Sequence, residues 1–142
     1  MMLEKIKIEV GTSLTIQKKV GAKDTAINYG SGKLDTLLAT PSLVALMIEA
    51  SVKAIDDKLP EGYITVGTMT KVEHENPTIL GATVSVKVEV KDFDGQKIVF
   101  DVVAYDEIGR VGKGMHERVI VNMDALQRKA SERAEKIHSK NF

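Results

Sequence analysis

The chain is 142 residues long, 43% apolar and 28% charged, which suits one soluble domain with a core of its own. Lys+Arg and Asp+Glu each number 20, for a net charge of +0, so the basic excess that grips nucleic acid is missing. The absence of Cys excludes disulfides, thiolate metal sites and a cysteine nucleophile, and with aromatics at only 4% the core has to come from Val, Ile, Leu, Ala and Met.

Met1 to Val10 mixes charged with apolar residues and contains no continuous apolar run. It reads neither as a signal peptide nor as a membrane span, so the cytoplasm is expected, with no membrane partner. Lys5-Ile6-Lys7-Ile8-Glu9-Val10 alternates strictly, the pattern of a half-buried strand. After Gly11, Thr12 to Val20 places Leu14 and Ile16 on one face as a second strand or a bulged continuation. Residues 21–39 have no period, and Asn28-Tyr29-Gly30-Ser31-Gly32 marks a loop long enough to act as a lid.

Thr40-Pro41 opens a helix, with Thr as the N-cap and Pro at the first helical position. The helix is expected over 40–59, stopped by Pro60 and Gly62. Leu43, Val44, Leu46, Met47, Ile48, Ala50, Val52, Ala54 and Ile55 cover more than half of its circumference, and Glu49, Lys53 and Asp56 mark the polar remainder. So wide an apolar surface has to be wrapped by other elements. Strands over 63–121 supply the wrapping. Ile64, Val66, Val72 and His74 are expected on one face of the first, and Val84, Val86, Val88 and Val90 on one face of the second. Asp94-Gly95 signals a two-residue hairpin, the return strand carries Ile98, Phe100, Val102 and Ala104, and after Ile108-Gly109 the last strand runs from Arg110 to Val121. Asn122 caps a surface helix over 123–138 with Asp124 in its first turn and a thin apolar stripe of Leu126, Ala130, Ala134 and Ile137. This order predicts one α+β domain over 1–142: a hotdog fold, in which an antiparallel sheet wraps one long central helix and a C-terminal helix follows. Such folds dimerise by joining two sheets edge to edge.

A few polar positions offer chemistry, each with a plainer alternative. Thr40 is either a simple N-cap or a hydroxyl beside free backbone N–H groups, where the positive helix end favours developing negative charge. His74 lies at the end of a strand, before Asn76-Pro77, and is either a hydrogen-bonded core histidine or a general acid or base. Glu73 and Glu75 flank it, but strand alternation turns both away from it, so no metal site is expected. Glu49 has Lys53 four residues on, and is either a solvated ion pair or a carboxylate reaching a site at a subunit boundary. Gly67, in mid-strand, marks either a bulge or the close approach of a ligand. Gly112-Lys113-Gly114 lacks phosphate-loop spacing and reads as strand glycine at a tight contact.

Several runs together resemble the fluoroacetyl-CoA thioesterase-like family of hotdog proteins: Ala39-Thr40-Pro41, Leu46-Met47-Ile48-Glu49-Ala50, Val66-Gly67-Thr68, His74, Gly81-Ala82-Thr83-Val84, Tyr105-Asp106 and the final Gly112-Lys113-Gly114-Met115-His116-Glu117-Arg118. The resemblance spans about residues 34–121. It implies hydrolysis of a small acyl-CoA thioester at a dimer-interface site, with coenzyme A as part of the substrate, no cofactor, and a homodimer or dimer of dimers. It also implies a catalytic set of Thr40, His74 and a helix glutamate, with Gly67 and Thr68 beside the acyl thioester. Counted without a gap the family's glutamate falls on Ile48, and Glu49 is the next residue. The aromatic gate of the fluoroacetyl-specific enzyme falls on Leu34, so no fluoroacyl preference is expected. The alternative reading is a non-catalytic acyl-CoA-binding hotdog module that has lost the glutamate.

Overall fold

A computed structural model describes residues 6–139. Strand β1 (Ser13–Lys19) is followed by a long connection, helix α1 (Thr40–Ile55), strands β2 (Tyr63–His74), β3 (Thr83–Phe93), β4 (Lys97–Tyr105) and β5 (Arg110–Asn122), and helix α2 (Met123–Ser139). The strands form one five-stranded sheet, all pairs antiparallel, in the order β1-β3-β4-β5-β2. Helix α1 packs against β1, β3, β5 and β2, so both edges of the sheet reach it. This is the hotdog architecture expected from the element order.

The packing follows from alternation. Val84, Val86, Val88 and Val90 are all fully buried, as are Ile98, Phe100 and Ala104, and they meet Leu43, Met47, Ala50 and Ile55 of the helix. Ser51 goes in with them because its hydroxyl returns to the Met47 carbonyl at 2.8 Å. No residue of α2 is buried, and the Asn122 side chain accepts from the Ala125 N–H at 2.9 Å as a cap.

The structure differs from the sequence expectations in five places. No strand forms over 6–10: Ile8 is buried against the core, but the backbone there is irregular, and Lys5 lies outside the described residues. Alternation therefore reported side-chain burial without backbone pairing. The N-cap is Ala39, with extended φ and ψ, so Thr40 is already helical and makes no capping bond. The helix ends at Ile55, and a 3-10 turn over Asp56–Lys58 fills the remaining length. A bulge between Gly67 and Met69 reverses the faces of β2, so Ile64 and Val66 lie opposite Val72 and His74. The β3–β4 turn spans 94–96 rather than two residues, held by the Asp94 carboxylate on the N–H groups of Gln96 and Lys97.

The 21–39 connection is ordered. It holds short 3-10 turns at Ala22–Asp24 and Ala26–Asn28, and its end pairs with the segment after β2 through the Leu37–Ile79 bridge. That pairing sets the connection across the N-terminus of α1 and the end of β2.

Candidate active site

Two elements converge at the start of α1. Pairing of β2 with β5 runs to His74 opposite Gly112, and the helix begins at Thr40. Thr40 Oγ1 and His74 Nδ1 lie 2.7 Å apart. Because Ala39 is the cap, the threonine hydroxyl is free of the capping role and is spent on the imidazole. Among the described residues, the N–H groups of Thr40 and Ser42 find no backbone acceptor, and Pro41 has none to offer. Such free donors at a helix start favour negative charge.

His74 is half-buried, and its Nε2 is fully enclosed with no hydrogen-bond partner among the described residues. Burial pushes its pKa below the usual histidine value, and the Asn76 backbone offsets part of that effect. A neutral ring that accepts the Thr40 proton at Nδ1 must carry its own proton on Nε2. The flanking carboxylates are each met by a cation: Glu75, which also lines the cavity described below, takes both Nε and Nη2 of Arg110 at 2.8 Å, and Glu73 sits 3.6 Å from Lys113.

A cavity of about 430 Å³ opens over the pair. Its walls are mainly apolar and come from Tyr29, Leu34, Leu37 and Leu38 of the 21–39 connection, with Pro41 and Pro77. Leu34, expected at a gate position, does line it and is 56% exposed. Tyr29, Leu37 and Pro77 were not singled out in the sequence; only the length of the loop hinted at a lid.

The remaining candidates lie elsewhere in this chain. Glu49 is half-exposed and pairs with Lys53 at 3.0 Å. Ile48 is on the exposed side of α1. Gly67 and Thr68 belong to the bulge of β2, about 20 Å along the strand from His74. Thr68 donates to the Glu117 carbonyl at 3.3 Å. A methyl group on Gly67 would press on His116 Cε1 at 3.1 Å and Arg118 Nη1 at 3.3 Å. Beneath it lies a buried polar network that sequence reasoning did not pick out. Arg118 donates to the Thr65 hydroxyl and carbonyl, both at 2.8 Å, and Thr65 donates to Asp56 at 2.6 Å. Arg118 Nη1 also sits 3.1 Å from His116 Nε2, and Met69 O lies 3.0 Å from His116 Nδ1. Burial and then the Arg118 charge hold the His116 pKa down, so Nε2 accepts and Nδ1 donates. The inward alternation of His116, Arg118 and Ile120 was the available signal.

Comparison with known proteins agrees with this fold. The fluoroacetyl-CoA-specific thioesterase (FlK) family matches residues 20–124, well over half of the chain. A fluoroacetyl-CoA thioesterase of Streptantibioticus cattleyicolor is 31% identical over 97 residues, covering 68% of this chain and 70% of that protein. A hot-dog-like protein from Thermanaerovibrio acidaminovorans superposes with a TM-score of 0.85 at 33% identity, over 94% of this chain and 97% of that one. A FlK variant in complex with acetyl-CoA superposes with a TM-score of 0.83 at 26% identity, over 89% of this chain and 98% of that one. Fold and matches together define a thioester hydrolase of the hotdog class. Within that class, the chain belongs to the fluoroacetyl-CoA-specific thioesterase family.

Proposed function

We propose that this protein hydrolyses acyl-CoA thioesters with a Thr40–His74 pair, at a site completed by a second copy of the chain. The observation that carries the reading is the 2.7 Å contact between Thr40 Oγ1 and His74 Nδ1 at the floor of an apolar cavity. The acyl group lies against the apolar walls. The thioester oxygen, which gains negative charge in the tetrahedral intermediate, sits near the free N–H groups of the helix start. The oxygen of Thr40, or of a water held by it, attacks the thioester carbon as His74 takes its proton at Nδ1. The C–S bond then breaks and His74 returns the proton to the leaving thiolate of coenzyme A. Where Thr40 attacks, a water hydrolyses the resulting acyl ester with His74 again as base. That a homologous enzyme has been trapped with acetyl-CoA supports a CoA ester as substrate.

The dimer rests on the edge of the sheet. β2 is an edge strand of 12 residues, an exposed template for pairing. An antiparallel β2–β2 junction would carry Gly67 and Thr68 of one copy toward His74 of the other, which one chain alone keeps apart. Sedimentation together with activity checks this: a protein that is monomeric at assay concentration and fully active contradicts it.

The direct test is release of free thiol from a panel of acyl-CoAs. Turnover of at least one chain class supports hydrolysis. Binding without turnover supports the acyl-CoA-binding module instead, a reading favoured by one feature, Ile48 where the family has its glutamate. Glu49→Ala is expected to change kcat/KM less than about threefold, because its carboxylate is engaged with Lys53 outside the cavity; a loss of a hundredfold would restore it to the catalytic set.

The pH dependence follows from the His74 shift. The active form is the neutral ring, and its pKa lies below the usual value near 6.5. kcat/KM is therefore expected to rise with pH through an acid limb below about 6.5 and to stay flat through neutrality. A limb at or above that value would mean that His74 is not the group that titrates.

A further inference from the structure

A second cleft adjoins the catalytic cavity. Leu37 and Pro77 line both, and the second, of about 650 Å³, continues past Ile79, Leu80 and Ala82 to Ile108 at the tip of the β4–β5 turn. Its side chains are unusually bare: Ile79 is 61% exposed, Leu80 42% and Ile108 97%. Nothing in the packing of the chain requires large apolar residues at these three positions, and together they make a contiguous apolar surface that leads away from the Thr40–His74 pair.

We infer that this cleft receives the distal part of a medium-length acyl chain, so that the preferred substrates are longer than the small acyl groups implied by the family. The inference rests on the acyl-CoA reading of the same site. Two features favour the acyl chain over the coenzyme as occupant. No lysine or arginine lines the cleft among the described residues, while Asp106 and Glu107 stand at its far end, which repels the phosphates of coenzyme A. The pantetheine amides would also lack partners there. Both Glu107 oxygens are taken by the Thr83 N–H, and the Asp106 carboxylate is taken by the Thr78 hydroxyl and the N–H groups of Ile108 and Gly109. An alkyl chain asks for no hydrogen bonds and gains from leaving water.

The test uses uncleavable thioethers, so that binding is read apart from turnover. S-ethyl-CoA and S-octyl-CoA are titrated calorimetrically into the full chain, wild type, Ile79→Asp and Ile108→Asp; both side chains are exposed, so neither change threatens the core. The octyl compound is expected to bind at least about tenfold more tightly, which needs only part of its added methylenes to be buried. Each variant is expected to cut that preference to less than about threefold. Equal affinity of the two thioethers overturns the inference. So does an equal loss for both thioethers in the variants, which would assign the cleft to the coenzyme arm. A preference untouched by the variants, with a smaller sedimenting species, also overturns it and marks the surface as a contact between copies. Thiol release measured in parallel separates the two claims. Turnover with equal binding sinks the long-chain inference alone, whereas an octyl preference without any turnover sinks hydrolysis and leaves the cleft as an acyl-binding site.

Discussion

Thr40→Ala is expected to lower kcat on the best acyl-CoA by about a hundredfold or more, while Thr40→Ser keeps most of it. Among the described residues the hydroxyl is the side-chain partner of the His74 ring, and Nε2 has no partner there. Removing it takes away the side-chain contact that orients the imidazole and leaves the reacting carbonyl without a neighbouring hydroxyl. The effect belongs in kcat rather than KM, because the apolar walls proposed to hold the acyl group, Leu34, Leu37, Leu38 and Pro77, are untouched. Stability gives the control. Thr40 is exposed and does not cap the helix, so the melting temperature of the alanine variant is expected to stay within about 2 °C of wild type. A variant that loses activity only in proportion to lost folded protein would assign Thr40 a structural role.

Gly114→Ala is expected to be the most destabilising small change in the chain. Gly114 faces Val72 across the β2–β5 ladder, and an added methyl group would overlap the Lys71 carbonyl oxygen and crowd Val72 Cα at 3.2 Å. These are backbone atoms of a paired strand, so neither can swing aside. Either β2 lifts off β5 or the ladder breaks. Overpacking costs about 1–3 kcal/mol where side chains can adjust, and this site belongs at or above the upper end of that range. The expected loss in melting temperature is about 10 °C. The same substitution at Gly109, where nothing lies within 4 Å and φ is not positive, is expected to change stability by less than about 0.5 kcal/mol. A Gly114 variant as stable as the Gly109 variant would show that the β2–β5 spacing is wider than the structure gives. β2 carries His74 at its end, so loss of this pairing removes the Thr40–His74 contact as well.

The sheet and its central helix were legible because burial and period agreed. Every second residue of β3 from Val84 to Val90 is fully buried, and the apolar face of α1 meets them. The N-terminal segment misled because Ile6 and Ile8 turn toward the core from a backbone that pairs with no strand of the sheet. The bulge in β2 was hidden because an inserted residue leaves local composition unchanged while it exchanges the two faces; only the ladder with β5 reveals it.

At the site, the sequence named Thr40 and His74 but not the way they are joined. Thr-Pro reads as a cap followed by the first helical position, and a shift of one residue turns a capping hydroxyl into one free for histidine. Leu34 was found through the resemblance, whereas Leu37 and Pro77 are ordinary loop residues that become cavity walls only when the connection pairs with residues 78–80. The Arg118 network escaped notice because its members are spread over Asp56, Thr65, Met69 and His116, which only the β2–β5 pairing and the turn after α1 bring together.

The measurement that bears most directly on the account is thiol release from short- to medium-chain acyl-CoAs by wild type and His74→Ala, assayed side by side at neutral pH. The Thr40–His74 pair predicts turnover of at least one chain class by wild type and a loss of about a hundredfold or more on removing the imidazole. Turnover that survives in His74→Ala would contradict it.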